Sequence, residues 1–188
     1  AVDAGVAAAV EADALELDWP ALLVGAPRWV LVANLPYNVA TPVVLDVLDH
    51  AATVERMVVM VQREAGERLV AEPGSKDYGI PSVKVAYHAT ARLVGSVPAS
   101  VFVPRPSVAS VLVEIVRRPQ PATDADPALL FDLVRHAFSQ RRKMLRRSLA
   151  GRVDAAVFEA AGVDPTDRPE QLGVDAWGRL ATVLATDR

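Results

Sequence analysis

The chain has 188 residues, about half of them apolar, a formal net charge of −3 and no cysteine. That length allows one domain with a sizeable buried core, or one domain and a small appendage, and the missing cysteine excludes disulfides and cysteine-ligated metals. No apolar run reaches the ~18 residues of a membrane span, no basic segment precedes the apolar residues of AVDAGVAAAV as a secretory signal would require, and an acidic balance means that any nucleic-acid partner is met by a local patch.

In chain order, RWVLVANL is a short β-rich run ending at Pro36, VVLDVLDHA has helical spacing, and RMVVMVQ is a second, near-continuous apolar strand. Strands apolar on both faces belong in a parallel sheet covered by helices. REAGERLVAE is expected to be a helix and PGSKDYGIP a turn, with Tyr78 packing a bend that Gly79 makes possible. SVKVAYHATARLVGSV and SVASVLVEIVRR are two long β-prone stretches joined by PASVFVPRP, expected to pair antiparallel at the sheet edge. RRPQPATDADP has the composition of a linker, and helices follow it, with stops at Gly151, AGVDPTDRPE and Gly173. The expected organisation is α/β over residues 1–118 and all-helical over 119–188.

Two stretches carry chemistry. SQRRKMLRRS places Arg141, Arg142, Lys143, Arg146 and Arg147 in under two helical turns, with no acid between Asp132 and Asp154. As a helix it turns Phe138, Met144, Leu145 and Leu149 inward and the cations outward. A solvated face is one reading; contact with a phosphate backbone is the other, favoured by five unbalanced cations in an acidic chain. The second stretch, ANLPYNVAT, stands where strand gives way to helix, beyond the carboxyl end of a strand, where α/β sheets bind ligands. Pro36 removes a donor and biases Leu35 away from helical geometry. Asn34 and the Leu35 carbonyl are left as outward acceptors beside the Tyr37 ring, a set suited to an aromatic amine. The plain alternative is an ordinary turn capped by Asn38 or Thr41.

NLPYNVATP resembles the catalytic motif of the ribosomal RNA adenine dimethyltransferases that modify small-subunit RNA. QREAGERLVAEPGSKDYGIPSV, SVFVPRPSVASVLVEI, FDLVRHAFSQRRKMLRRSL and RPEQLGVDAWGRLA resemble further signatures of that family in order and spacing. The resemblance implies a Rossmann-like, S-adenosylmethionine-dependent methyltransferase sheet with a small all-helical C-terminal domain. It implies twofold methylation of the exocyclic amine of adenines in the RNA of the small ribosomal subunit, or of the assembling subunit. Asn34 and the Leu35 carbonyl would hold the target amine, Pro36 would shape the turn, Tyr37 would stack on the adenine, and Phe102 would cover it from another side. A base must leave its stack to reach such a pocket, so loop or single-stranded RNA is the expected substrate. Without the family pattern, Phe102 has the composition of a core ring closing a loop. Glu64 in QREAGER is either a site-lining acid or a solvated acid of a first helical turn. His50, His88 and His136 are scattered among unrelated segments, and no metal role is assigned to them.

The cofactor half departs from the family pattern. The glycine-rich turn expected ahead of this region has no counterpart in the chain. By resemblance Asp3 would hold the ribose hydroxyls of S-adenosylmethionine and Asp13 its adenine amine, with Asn34 beside the transferred methyl. Only nine residues separate Asp3 from Asp13, fewer than the ~10–12 of a parallel crossover, so either residues of the natural protein are absent from this chain, which is the expectation, or the chain is a defective relative. The expected protein is a cytoplasmic monomer. Two other readings remain: a non-catalytic RNA-binding assembly factor, and the large-subunit adenine methyltransferase of antibiotic resistance. DNA adenine methyltransferases share an Asn/Asp-Pro-Pro-Tyr logic, but Leu35 stands where they have the first proline.

Overall fold

The computed structural model describes residues 10–186. A short helix α1 (Trp19–Leu22) leads to strand β1 (Trp29–Asn34), helix α2 (Ala40–His50) and strand β2 (Val54–Gln62). Helices α3 (Arg63–Leu69) and α4 (Ile80–His88) precede strands β3 (Ala89–Val97) and β4 (Ser110–Arg117). Helices α5 (Pro127–Ser139), α6 (Leu145–Ser148), α7 (Ala155–Ala161) and α8 (Val174–Thr186) complete the fold. The sheet order is β1-β2-β4-β3. β1 and β2 are parallel, joined by the α2 crossover, and β4 lies antiparallel between β2 and β3. Asn34 is opposite Met60, and Ser110 is opposite both Gln62 and Val97. The carboxyl ends of β1, β2 and β3 therefore meet the start of β4 at one end of the sheet.

Helices α2, α3 and α4 cover one face, burying Val59, Val61, Val111, Val113 and Ile115. Gly66 permits the close approach of α3, because a Cβ there would collide with Val111 and lie 3.2 Å from Val113 Cγ2. The expectation of two covered faces is not met by the described helices: Val30 and Val32, on the other face of edge strand β1, are 61% and 76% exposed. β1 alternates half-buried and exposed positions along its length. Its unbroken apolar run gave no sign of that asymmetry.

SVKVAYHATARLVGSV corrects a second expectation, since its first half is helix α4 and strand begins only at Ala89. Pro81 sits in the first turn, where no intrahelical donor is lost, and Ser82 Oγ accepts the Gly79 amide at 3.0 Å while donating to the Arg68 carbonyl at 2.6 Å. β-Branched valines suggest strand, but packing overrides propensity. Val85 enters the sheet core, whereas Val83 and Tyr87 enter a second core with α5, α7 and α8. Tyr78 is fully buried there and donates to the Leu172 carbonyl at 2.9 Å; burial pushes its phenol pKa up. Gly79 has extended backbone, φ −165°, and precedes the first turn of α4.

Arg117, the last residue of β4, ties the sheet to α2. Its guanidinium donates to the carbonyls of Val54 (2.9 Å), Leu48 (3.0 Å), Val47 (3.1 Å) and Ala51 (3.1 Å). The last carbonyls of a helix lack intrahelical donors, and a cation at that end also meets the negative pole of the helix. Burial lowers the Arg117 pKa from its usual value, with Asp49 opposing the shift. Replacing Arg117 by Met should lower stability by about 2–4 kcal/mol in urea unfolding, and Lys should not restore it, because an ammonium cannot span four carbonyls. Full stability in the Lys variant would mean that charge alone suffices.

Candidate active site

β1 ends at Asn34, and the chain leaves the sheet with the Leu35 amide donating to the Met60 carbonyl at 3.2 Å. The Leu35 side chain is buried and anchors the turn, while Asn34 and Pro36 are exposed and Tyr37 half-buried. Helix α2 starts behind Val39, which makes no side-chain cap. The capping alternative for Asn38 and Thr41 is therefore not what this turn does. Among the described residues nothing hydrogen-bonds to the Asn34 side chain or to the Leu35 carbonyl, which leaves both available to a ligand.

The turn forms one wall of a concavity of about 350 Å³ whose other wall is the connection between β3 and β4. Asn34, Leu35, Pro36 and Tyr37 face Phe102 across it, with Val103, Pro104 and Pro106 completing the lining. The structure thus brings Phe102 to the four consecutive residues Asn34 to Tyr37, from which it is distant in sequence. Phe102 is half-buried at the concavity, not a closed core ring. Three prolines contribute rigid apolar surface and no N–H donors, so the polar chemistry rests on the Asn34 amide and the Leu35 carbonyl. A flat ligand with an exocyclic amine matches this: its N–H groups meet acceptors and its faces meet rings. The Tyr37 and Ser110 hydroxyls hydrogen-bond at 3.0 Å, joining the two walls. Sequence reasoning does not single out Ser110, which reads as one more residue of a β-prone run.

The cofactor residues are placed differently. Asp3 lies outside the described residues. Asp13 is exposed on a turn, not at a strand end, and one of its carboxylate oxygens accepts the Leu15 amide at 2.9 Å. Among the described residues the glycines with positive φ are Gly25, Gly74, Gly151 and Gly162, none of which follows a strand. The described residues therefore form an acceptor pocket and do not by themselves form a glycine cradle for S-adenosylmethionine. Glu64 is exposed and pairs with Arg68 at 2.8 Å, as a solvated helix acid does.

The basic segment is not one helix. α5 ends at Ser139, and the amides of Leu145 and Arg146 donate to the Asp167 (2.7 Å) and Pro165 (2.9 Å) carbonyls, partners that a continuous helix would replace. Leu145 and Leu149 are buried, but Met144 is exposed, contrary to the helical expectation. Arg142, Lys143, Arg146 and Arg147 are exposed. Arg141 instead donates to the Lys76 carbonyl at 2.8 Å and lies 3.6 Å from Glu170, so it is held within the protein.

A family model described as ribosomal RNA adenine dimethylase matches residues 6–186. The chain is 53% identical over 162 residues to the ribosomal RNA small subunit methyltransferase A of Acidothermus cellulolyticus, covering 84% of this chain and 56% of the relative. It is 51% identical over 177 residues to that of Kineococcus radiotolerans, covering 92% and 58%, and 43% identical over 176 residues to that of Pseudomonas aeruginosa, covering 93% and 66%. The chain thus spans little more than half the length of the first two. A dimethyladenosine transferase from Plasmodium falciparum superposes with a TM-score of 0.70 at 22% identity, covering 85% of this chain and 68% of that one. The 23S rRNA methyltransferase ErmE superposes at 0.63 and 22%, covering 94% and 71%. These likenesses carry the fold, a Rossmann-like methyltransferase sheet with appended helices. On the extent of the sequence match, the chain belongs to the ribosomal RNA adenine dimethylase family.

Proposed function

We propose that this chain supplies the acceptor pocket and the RNA-docking helices of an enzyme that methylates adenines of small-subunit ribosomal RNA twice on the exocyclic amine, during subunit assembly. The observation that carries this reading is the concavity that uncommitted acceptors, Asn34 and the Leu35 carbonyl, line together with the Tyr37 and Phe102 rings. The names of the relatives favour small-subunit RNA over the large-subunit alternative. S-adenosylmethionine supplies an electrophilic methyl group when bound; its site draws on residues beyond those described, with Asp13 and Asp3 as the proposed contributors from this chain.

The work of these residues is orientation. Two acceptors on the two N–H groups of adenine turn the amine lone pair out of the ring plane and toward the donor. The rings hold the base flat, and the walls exclude water. Proximity and fixed dipoles account for much of such catalysis without a strong base. Residues 1–118 form the methyl-transfer unit in this reading, and 119–188 the docking unit, whose exposed Arg142, Lys143, Arg146 and Arg147 meet phosphates. One protein molecule acts on one RNA, in the cytoplasm. No described helix is long and apolar enough to cross a membrane.

Asn34→Ala in the full-length protein should reduce methyl transfer by about 10²–10³-fold while RNA affinity stays within about twofold of wild type. Parallel loss of both in filter binding and methyl-incorporation assays would remove Asn34 from its assigned role. Replacing the four exposed cations together by Ala should flatten the slope of log affinity against log salt by about 3. An unchanged slope would make the patch an ordinary solvated surface, and undiminished RNA binding with no methyl transfer by wild type would favour the assembly-factor reading.

A further inference from the structure

The Tyr37 ring is carried by a short turn with few restraints. Between the end of β1 and the start of α2, the backbone bonds are Leu35 to the Met60 carbonyl and Val39 to the Pro36 carbonyl at 3.1 Å, and the helix start lacks a side-chain cap. Rotation about χ1 swings the far end of such a ring, whereas rotation about χ2 leaves its hydroxyl in place. Here its far end is held by Ser110, whose side chain is fully buried and whose backbone is paired to Gln62 on one side and Val97 on the other. Three strands therefore determine where the Ser110 hydroxyl stands. Ser110 also directly follows the connection that carries Phe102, so the same bond, spanning 73 positions of sequence, joins the Tyr37 turn to the strand on which that connection ends.

We propose that Ser110 is a positioning residue for the methyl acceptor: by holding the Tyr37 hydroxyl it fixes where the Tyr37 ring stands in the pocket that Phe102 also lines, so that an entering adenine meets that ring in one place. This rests on the functional reading above and adds to it a residue that touches no substrate. The bond is present without substrate, so the swing of the ring about χ1 is already restricted at binding. The consequence falls on the chemical step, because the docking cations that govern RNA affinity are on the separate α5–α6 surface.

The test is steady-state methylation of small-subunit RNA by the full-length protein and its Ser110→Ala, Tyr37→Phe and doubly substituted forms. Tyr37→Phe keeps the ring and deletes only the hydroxyl, so it reports on the bond even where Ser110→Ala impairs folding. Each single substitution should lower kcat by about ten- to a hundredfold and leave KM for RNA within about twofold. The double form should be no worse than the weaker single form, since both remove one interaction. A kcat for Tyr37→Phe within about twofold of wild type, or losses that multiply in the double form, would overturn the proposal. A wild type that transfers no methyl group would overturn the functional reading, and this proposal with it, before any variant is compared.

Discussion

Strand β4 is tied to the turn-and-helix segment of residues 34–51 at both of its ends, and the pocket depends on that double attachment. At one end the Arg117 guanidinium gathers four carbonyls from the close of α2 and the start of β2. At the other the Ser110 hydroxyl meets that of Tyr37. α2 cannot slide along the sheet without breaking the first, and the turn that precedes it cannot open without breaking the second. Between these ties β4 is locked by antiparallel pairing to both neighbours. The turn of Asn34 to Tyr37, one wall of the pocket, is thereby held to the strand that follows the Phe102 connection.

The pocket is simple in composition because its chemistry asks for little. Rings and prolines make a slot for a flat molecule, and the polar groups facing it are an amide and a carbonyl. Among the described residues no charged side chain lines it, so none of them favours a phosphate or a protonated ligand over a neutral heterocycle. Charge is concentrated instead where the chain turns from α5 into α6. There the backbone amides of Leu145 and Arg146 are taken by the 165–167 loop, which displays four cations on a bent surface and not along one helix face. In the proposed function, reading of the base and attachment to the backbone thus fall to different parts of the molecule.

Much of this was legible in local sequence, and the rest was not for identifiable reasons. Pro36 between Leu35 and Tyr37 announced that the strand-to-helix turn was unusual, and the turn does leave Asn34 exposed and α2 uncapped. Helix α4 was hidden by its valines, because its stability comes from burying Val83, Val85 and Tyr87 in two different cores. The break in the basic segment depends on partners 20 residues further along, which no local window contains. Ser110 and Arg117 have no local signature either, since each acts through a contact with a distant part of the chain. The exposed face of β1 was misjudged because an apolar run records hydrophobicity and not which face is covered.

The central claim is that the pocket presents the exocyclic amine of an adenine to a methyl donor. The direct measurement is nucleoside analysis by mass spectrometry of small-subunit RNA, taken from cells lacking the protein and treated with the full-length enzyme and isotope-labelled S-adenosylmethionine. The account predicts label on adenosine alone, first as the N6-monomethyl and then as the N6,N6-dimethyl form. Label on a ribose hydroxyl, on a pyrimidine carbon or on guanosine would contradict it.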